Sequence, residues 1–258
     1  MRKYYLALLM LTCFAGAFGQ EVTKTNGVAF QAGEQITYKL RYGIFTAAET
    51  VIKVENSPVK FDNHPALHIY ADARTAGTFN LLFKVRNKYE TFIDPQTLMP
   101  YYYSEQRQES KYRHSDKVTF DHEAGIITAD KGKFPFKGNV FDFLSAYYFA
   151  RNINVSKLKI GDKLSMRYFL EDGIHTLTIT FIGREKVKCG LGTFNCLKFN
   201  PTIIPGRIFR KNSMLYLWIT DDKNRIPVKA HVELIVGSLV MDLTQASGLK
   251  YPLNPIKN

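Results

Sequence analysis

The chain has 258 residues, of which 45% are hydrophobic and 14% aromatic, and its 35 Lys and Arg against 23 Asp and Glu give a net charge of +12. A basic balance raises the question of nucleic acid, but the cations alternate with apolar residues, and no zinc-finger or basic-helix spacing occurs. We therefore predict no nucleic-acid partner, and we expect a solvated cationic surface or attraction to anionic lipids and glycans.

An apolar run from Tyr4 to Phe18 follows two basic residues, and its length fits the core of a signal peptide rather than a membrane span. Ala17 and Gly19 stand at the positions of a small-x-small cleavage site, so we expect Gln20 to be the mature amino terminus. Cys13 lacks the small residue directly before it that a lipoprotein signal requires, so we do not predict lipid attachment. No later stretch is apolar for long enough to cross a bilayer. These features predict a protein that is periplasmic or secreted.

Apolar and polar residues alternate with period two in four clear segments, which is the pattern of half-buried strands. These segments are 35–42, 163–170, 176–181 and 225–234. Strands with one polar face are typical of antiparallel sheets rather than of doubly wound folds. We predict a mainly β fold, a single antiparallel meander of about ten or more strands curled into a barrel or half-barrel. The turn signals between strands are Asp94-Pro95, Lys131-Gly132, Glu171–Gly173, Gly192-Thr193 and Asp221–Asn224.

Two segments break this alternation. Residues 141–151 place apolar side chains at three- and four-residue spacing and predict a helix, and 78–83 predicts a shorter helical turn. No repeat or linker divides the chain, and about 240 mature residues suit a single barrel. We predict a signal peptide at 1–19, a lead-in at 20–34, one β domain at 35–249 and a flexible tail at 250–258.

Cys189 and Cys196 remain after signal cleavage, and their spacing suggests a hairpin between two strands. If its turn centres on Gly192-Thr193, the two sulfur atoms face each other and a disulfide fits an export compartment. Two free buried thiols are the alternative. The spacing matches neither a zinc knuckle nor a C-x-x-C redox site, so we predict no metal and no cofactor.

Catalytic motifs are missing from the sequence: there is no nucleophile elbow, no H-E-x-x-H and no phosphate-binding glycine loop. Asp221 and Asp222 resemble a carboxylate pair, but they fall in a predicted hairpin turn, where Asp favours the backbone geometry. Together with Arg225 they form a candidate structural or polar clamp. We name no catalytic residue, and an enzyme acting on glycans or lipids is the weakest of our hypotheses.

Asp142, Ser145 and Arg151 lie on the predicted helix, and the first two share one of its faces. We interpret them as a helix-start carboxylate and an anchoring ion pair, with a polar ligand clamp as the alternative. The segment 200–211 mixes isoleucines and Phe209 with Arg207 and further cations. It is predicted to cover a barrel end or to touch a membrane surface peripherally.

Several motifs in this order resemble the uncharacterised envelope proteins of domain of unknown function family 3108. The resemblance spans nearly the whole mature chain and implies no catalytic residues. The Trp218 hairpin is also similar, at the level of fold only, to the half-barrel lipoprotein carriers. The motifs are Gly33-Glu34, Arg41–Gly43, Asp142–Arg151, Gly192–Phe194, Gly206–Phe209 and Leu217–Val228.

Two functions follow as hypotheses. A carrier would hold a lipid-like or amphiphilic ligand in an apolar concavity, with the segment around Arg207 at its mouth. An adaptor would have a filled core and bind an envelope protein at a sheet edge. The candidate ligand-binding residues are Tyr38, Tyr42, Tyr168, Trp218, Arg207 and Phe209.

Overall fold

The structure, a computed structural model, describes residues 20–21, 27–202 and 214–256. The predicted signal peptide, Arg207 and Phe209 lie outside these ranges. Within them, no helix has the length and apolar character needed to span a membrane.

In the part of the chain that the structure describes, fifteen strands form a single sheet, and two helices accompany it. The helices are α1 (Phe79–Leu82) and α2 (Phe143–Ala150), which match the two predicted helical segments. The strands are β1 (Gln20–Glu21), β2 (Gln35–Tyr42), β3 (Phe45–Asn56), β4 (Leu67–Thr75), β5 (Val85–Ile93), β6 (Pro100–Glu109), β7 (Tyr112–Asp121), β8 (Ile126–Ala129), β9 (Gly132–Pro135), β10 (Lys163–Leu170), β11 (Gly173–Cys189), β12 (Gly192–Pro201), β13 (Leu215–Thr220), β14 (Pro227–Glu233) and β15 (Ser238–Ser247).

The sheet consists of two meanders joined at one place. Strands β2 to β9 follow one another, strands β10 to β15 do the same, and β15 pairs with β2. All these neighbours are antiparallel, while the two-residue β1 pairs in parallel with β10. The predicted antiparallel β fold with short inserted helices is confirmed: fourteen strands form an antiparallel sheet that is curled but not closed.

The sheet is open between β9 and β10, and the outer side of β10 pairs with the two-residue β1 at Leu164 and Ser165. The segment between β9 and β10 contacts β10, because the Phe141 N–H donates to the Arg167 carbonyl at 3.0 Å and the Phe169 N–H donates to the Phe141 carbonyl at 2.8 Å. Across the opening, Phe134 of β9 packs on Phe169 with ring centroids 5.0 Å apart. The Phe134–Phe169 contact thus links β9 to β10, and the two hydrogen bonds attach the connecting segment to β10.

Antiparallel pairing places alternate turns at the same end of the sheet. We call the end with the β2–β3, β4–β5, β6–β7, β10–β11 and β14–β15 turns the rim, and the opposite end the base. Helix α2 lies against the inner face, with Leu144, Tyr148 and Phe149 buried in the main core.

The lead-in and the tail both pack at the base, which corrects two predicted boundaries. Phe30 is buried in the core, so the folded domain begins before residue 35. The predicted flexible tail is instead bound to the sheet: the Lys250 ammonium donates to the Val28 carbonyl at 2.9 Å, and the Ile256 N–H donates to the Thr193 carbonyl at 2.7 Å. Backbone hydrogen bonds and apolar contacts hold these two segments against the fold, and such contacts cannot be predicted from composition alone.

Candidate functional site

A buried ion pair anchors the end of α2 at the base. Arg151 follows the helix and donates through Nη2 to Glu34 Oε2 at 2.9 Å, with side-chain exposures of 1% and 0%. Its Nε donates to the Asn224 carbonyl at 3.0 Å, and Tyr148 donates its hydroxyl to Glu34 at 3.2 Å. Burial opposes the charge of Arg151, but the Glu34 carboxylate raises its pKa above the usual value. The guanidinium is therefore a structural cation.

Asp142 caps the start of α2. Its Oδ1 accepts the Leu144 and Ser145 N–H groups at 2.8 and 3.0 Å, and Ser145 Oγ accepts the Asp142 N–H at 2.9 Å, which completes a capping box. Thr91 of β5 donates its hydroxyl to Oδ2 at 2.6 Å. Burial raises the pKa of Asp142, although these hydrogen bonds oppose the shift.

The candidate clamp residues on α2 therefore bind one another and the surrounding protein. They correspond to the helix-start carboxylate and the ion pair of the first interpretation. Asp221 and Asp222 lie in the β13–β14 turn, where Asp222 Oδ1 accepts the Thr220 hydroxyl at 2.7 Å and the Asn224 N–H at 2.9 Å. These side chains stabilise the base and leave no carboxylate pair facing a cavity.

Arg225 differs from the other candidate clamp residues. Its Nε donates to the Asp222 carbonyl at 2.8 Å, but its Nη1 is buried without a hydrogen-bond partner among the described residues. Burial lowers the pKa of this guanidinium. An unpaired buried donor costs about 1–3 kcal/mol, so such a group favours an added acceptor. Arg225 lines a cavity of about 50 Å³ whose other walls are apolar side chains of α2, its following loop and strands β10 to β13.

An apolar strip continues from this cavity toward the rim along the inner face. Leu217 lines the cavity and pairs with Ala230, which pairs with Met241, which pairs with Leu40. A second row of paired residues lies nearer the rim, and all members of both rows are half-buried, whereas Tyr38, Val228 and Leu243 nearer the base are buried. We call these eight residues the inner strip: Leu40, Tyr42, Leu215, Leu217, Ala230, Val232, Leu239 and Met241.

The predicted ligand-binding residues divide between the two faces. Tyr42 belongs to the inner strip, and Tyr168 is half-buried on the inner face, where burial raises its pKa. Tyr38 is also on the inner face but only 2% exposed, and its hydroxyl lies 3.0 Å from that of Tyr147. Trp218 lies on the opposite face of β13 from Leu217 and is 9% exposed; it donates to Glu185, and the Lys198 ammonium lies 5.0 Å from its ring.

The predicted disulfide is not formed, and both cysteines are free. The hairpin turns at Gly190-Leu191, two residues earlier than expected, so Cys189 pairs with Gly192 while Cys196 pairs with Glu185. The two thiols are therefore offset along the strands instead of opposite each other. Burial raises the pKa of Cys196 to about 12, and it also raises the pKa of Cys189.

A second cavity, of about 400 Å³, opens on the outer face of β3 to β6. Its walls include His68, whose Nε2 lies 3.1 Å from Glu90 Oε2, and Ser104, which donates to Glu90 Oε1 at 2.8 Å. The shared carboxylate orients both groups, but the Ser104 hydroxyl points to Glu90 and not to the imidazole, so it is not an activated nucleophile. Among the described residues, no cluster of three or more His, Cys, Asp or Glu side chains has the geometry of a metal site.

Sequence reasoning missed Glu34 and most of the inner strip. Glu34 lies 117 positions from Arg151, and nothing local identifies it as the partner. The strip had a usable signal, because the alternation in β14 already placed Val228, Ala230 and Val232 on one face.

A curled, unclosed antiparallel sheet with a helix on its inner face defines a β-barrel-like protein. The family profile described as "Protein of unknown function (DUF3108)" matches residues 37–244, and the chain belongs to this family, as its motifs suggested. No curated protein matches the chain.

Two solved structures are similar to this chain. A β-barrel-like protein of the domain of unknown function DUF1849 from Brucella abortus aligns with a TM-score of 0.54 at 10% identity, covering 86% of this chain and 99% of that one. A protein with a YmcC-like fold from Bacteroides fragilis aligns with a TM-score of 0.37 at 13% identity, over 86% and 100% of the two chains. The first likeness supports the barrel-like fold.

Proposed function

We propose that this protein is an exported, non-catalytic binding protein that holds an anionic amphiphile on the inner face of its sheet. The observation that carries the proposal is the half-buried inner strip with the unpaired Arg225 Nη1 at its base end. Apolar walls with a few convergent polar groups are the usual composition of a ligand site. The candidate is an acyl chain with a carboxylate or phosphate head.

The dimensions agree with this ligand. Strand β14 has 7 residues, which gives about 23 Å at 3.3 Å per residue. One acyl chain spans about 15 Å, half of the 30 Å hydrocarbon core of a bilayer. A head group at Arg225 therefore leaves room for the chain along Leu217, Ala230 and Val232 before the rim is reached.

The remaining interior is packed, which limits where a ligand can lie. Helix α2 and the residues around Tyr148 fill the inner face near the base, and the cavity beside Arg225 measures about 50 Å³. The proposed site is therefore an open groove that ends in a small cavity. We propose the periplasm or the cell exterior as the location, because residues 1–19 are predicted to be an export signal.

The test is binding of a fluorescent fatty acid by delipidated protein. Met241→Glu places a charge on the inner strip and is expected to weaken binding at least about tenfold, since it removes apolar contact worth roughly 1.5–3 kcal/mol. Val240→Glu is the matched control, because Val240 is the next residue of β15 and faces outward beside Arg41. Equal losses in both variants would refute the inner strip as the site.

Head-group recognition is tested by Arg225→Gln against Arg184→Gln, a neighbouring cation that is exposed and paired with Asp221. The first change is expected to weaken fatty-acid binding about tenfold and to leave fatty-alcohol binding unchanged. If wild-type protein takes up neither ligand and copurifies with no lipid by mass spectrometry, the proposal is wrong. A stoichiometric envelope protein in cross-links would then support the adaptor hypothesis.

A further inference from the structure

Large apolar side chains stand exposed on the hairpin tips of the rim. Their exposed fractions range from 48% at Ile235 to 89% at Ile44, with Leu81 at 86% and Leu82 at 80%. Scattered exposed apolar residues are normal, but a row of them at one end of a sheet marks an interaction surface. We call these eight residues the apolar tips: Ile44, Phe45, Leu81, Leu82, Phe83, Tyr112, Ile235 and Val236.

The apolar tips lie on four consecutive hairpins. The order β14-β15-β2-β3-β4-β5-β6-β7 in the sheet makes the β14–β15, β2–β3, β4–β5 and β6–β7 turns neighbours at the rim. Each tip is two strands from the next, so they are about 10 Å apart and the row is about 30 Å long. The base shows no such row among the described residues, where Val59 and Ile160 are the large apolar side chains exposed on its loops.

Cations flank three of the four tips, while the β14–β15 tip, residues 233–238, carries Glu233 and no cation. The segments 41–45, 74–86 and 109–113 contain six Lys and Arg against one carboxylate, Glu109. That carboxylate already accepts hydrogen bonds from Asn87 at 2.9 Å and from Arg107 at 3.2 Å. The exposed cations include Lys84, directly after Phe83, and Lys111, directly before Tyr112. Three of the four hairpins in the row thus combine exposed apolar side chains with positive charge.

We propose that the rim docks on the surface of an anionic lipid bilayer. Apolar side chains that enter the boundary between head groups and acyl chains, beside Lys and Arg that meet lipid phosphates, are the chemistry of interfacial membrane binding. A bilayer fits better than a protein partner, because the apolar groups stand on separate tips with cations between them instead of forming one continuous patch. The tips carry polar backbone at each turn, so they reach interfacial depth and do not cross the membrane.

This docking deepens the proposed function by naming where the amphiphile is found, although the docking itself does not depend on the cargo. Tyr42 of the inner strip donates its hydroxyl to the carbonyl of Val236, an apolar tip, at 3.2 Å. The groove therefore opens among the docking side chains. A lipid that leaves the bilayer at the rim reaches the inner strip without crossing bulk water.

The apolar contribution is tested by sedimenting the mature chain with phosphatidylcholine vesicles, with or without phosphatidylglycerol. Leu81→Ser with Leu82→Ser is expected to reduce binding to anionic vesicles at least about tenfold. Val59→Ser with Ile160→Ser removes two exposed apolar side chains from the base and is expected to change nothing. Wild-type protein that stays in solution with both vesicle types, or equal losses in the two double variants, would overturn the proposal.

The charge contribution is tested in the same way. Lys84→Glu with Lys111→Glu is expected to abolish the preference for phosphatidylglycerol, since each cation near an anionic surface contributes about 1 kcal/mol, roughly fivefold in binding. Lys157→Glu with Lys159→Glu is the control with the same change of net charge at the base, where both side chains are exposed. A control that loses as much binding would show that total charge, and not the rim, attracts the membrane.

Insertion depth and cargo binding separate the remaining outcomes. Leu81→Trp is expected to shift its fluorescence to the blue on anionic vesicles, while Ile160→Trp is not. The Leu81/Leu82 double variant is expected to bind soluble fluorescent fatty acid as the wild type does, so failure of docking and failure of the cargo site remain distinguishable. A dimer that this double variant dissociates, with no vesicle binding by the wild type, would identify the rim as a protein interface and refute the proposal.

Discussion

The two ends of the sheet, the base and the rim, carry different kinds of side chain at their turns. At the base, polar groups are buried and paired: Arg151 binds Glu34, and Asn224 binds the tail through Tyr251 at 3.0 Å. At the rim, four neighbouring hairpins end in exposed apolar side chains, and three of them also carry Lys and Arg. We therefore expect the base to contribute most to conformational stability and the rim to provide the proposed membrane-docking surface. Substitutions at the two ends are expected to have different effects.

The largest effect on stability is expected at the buried ion pair. Glu34→Gln leaves the Arg151 guanidinium buried without its carboxylate, and it should lower the free energy of unfolding by about 3–5 kcal/mol. Asp221→Asn is the control, because it breaks the Arg184–Asp221 pair, whose side chains are 47% and 32% exposed, and should cost under about 1 kcal/mol. Urea denaturation measures both. Similar losses would show that burial does not distinguish the two pairs.

The helix cap should have an intermediate effect. Asp142→Ala removes the acceptor of two backbone N–H groups and of the Thr91 hydroxyl, and we expect a loss of about 2 kcal/mol in urea denaturation. Asp142→Asn keeps the capping oxygen and should cost less. If the two variants are equally destabilised, the cap is not the reason for the loss.

The Asp142 carboxyl is also expected to make the free energy of unfolding depend on pH. Burial raises the pKa of Asp142 above 3.8, so the folded protein holds this proton more tightly than the unfolded chain. The stabilisation from protonated Asp142 is present below the pKa that this carboxyl has in the unfolded chain. It is lost as pH rises through the higher pKa of the folded protein. Unfolding free energies measured across this window should fall less with rising pH in Asp142→Asn than in the wild type. An unchanged slope would contradict a raised pKa.

The smallest effect on stability is expected at the rim. Leu81→Ser with Leu82→Ser should change the free energy of unfolding by no more than about 0.5 kcal/mol, because both side chains are largely exposed. Thermal unfolding of the isolated protein measures this. A large loss would mean that these residues support the fold, and the vesicle result for the same variant would need a structural explanation.

Sequence patterns within single elements predicted much of the fold, but they did not predict which residues of different elements pair. Alternation in 35–42 and 163–170 located β2 and β10, and the polar start of 141–151 indicated the cap at Asp142, because these signals lie within one element. The partner of Arg151 and the register of the Cys189 hairpin depend on contacts between elements. Either Gly190 or Gly192 suits the start of a turn there, so the sequence leaves the position of the turn open by two residues.

The sites show the same division. Trp218 was expected in the concavity because it is large and aromatic, but its strand neighbours Leu217 and Ile219 occupy the inner face, so it lies on the opposite face of β13. Arg225 was grouped with Asp221 and Asp222 because they are adjacent in sequence. Its distinct feature, a buried donor beside an apolar cavity, comes from α2 packing across the β13–β14 turn.

The pairing of β15 with β2 has a consequence for how the chain folds. Arg41 and Asp242, which form an ion pair across these two strands, are 201 positions apart in sequence. The edge of β2 that β15 will cover is therefore unprotected until almost the whole chain has been synthesised. Closing so long a loop is slow, and an uncovered edge strand invites pairing with other chains. The final strand is thus the one that protects the first meander from aggregation.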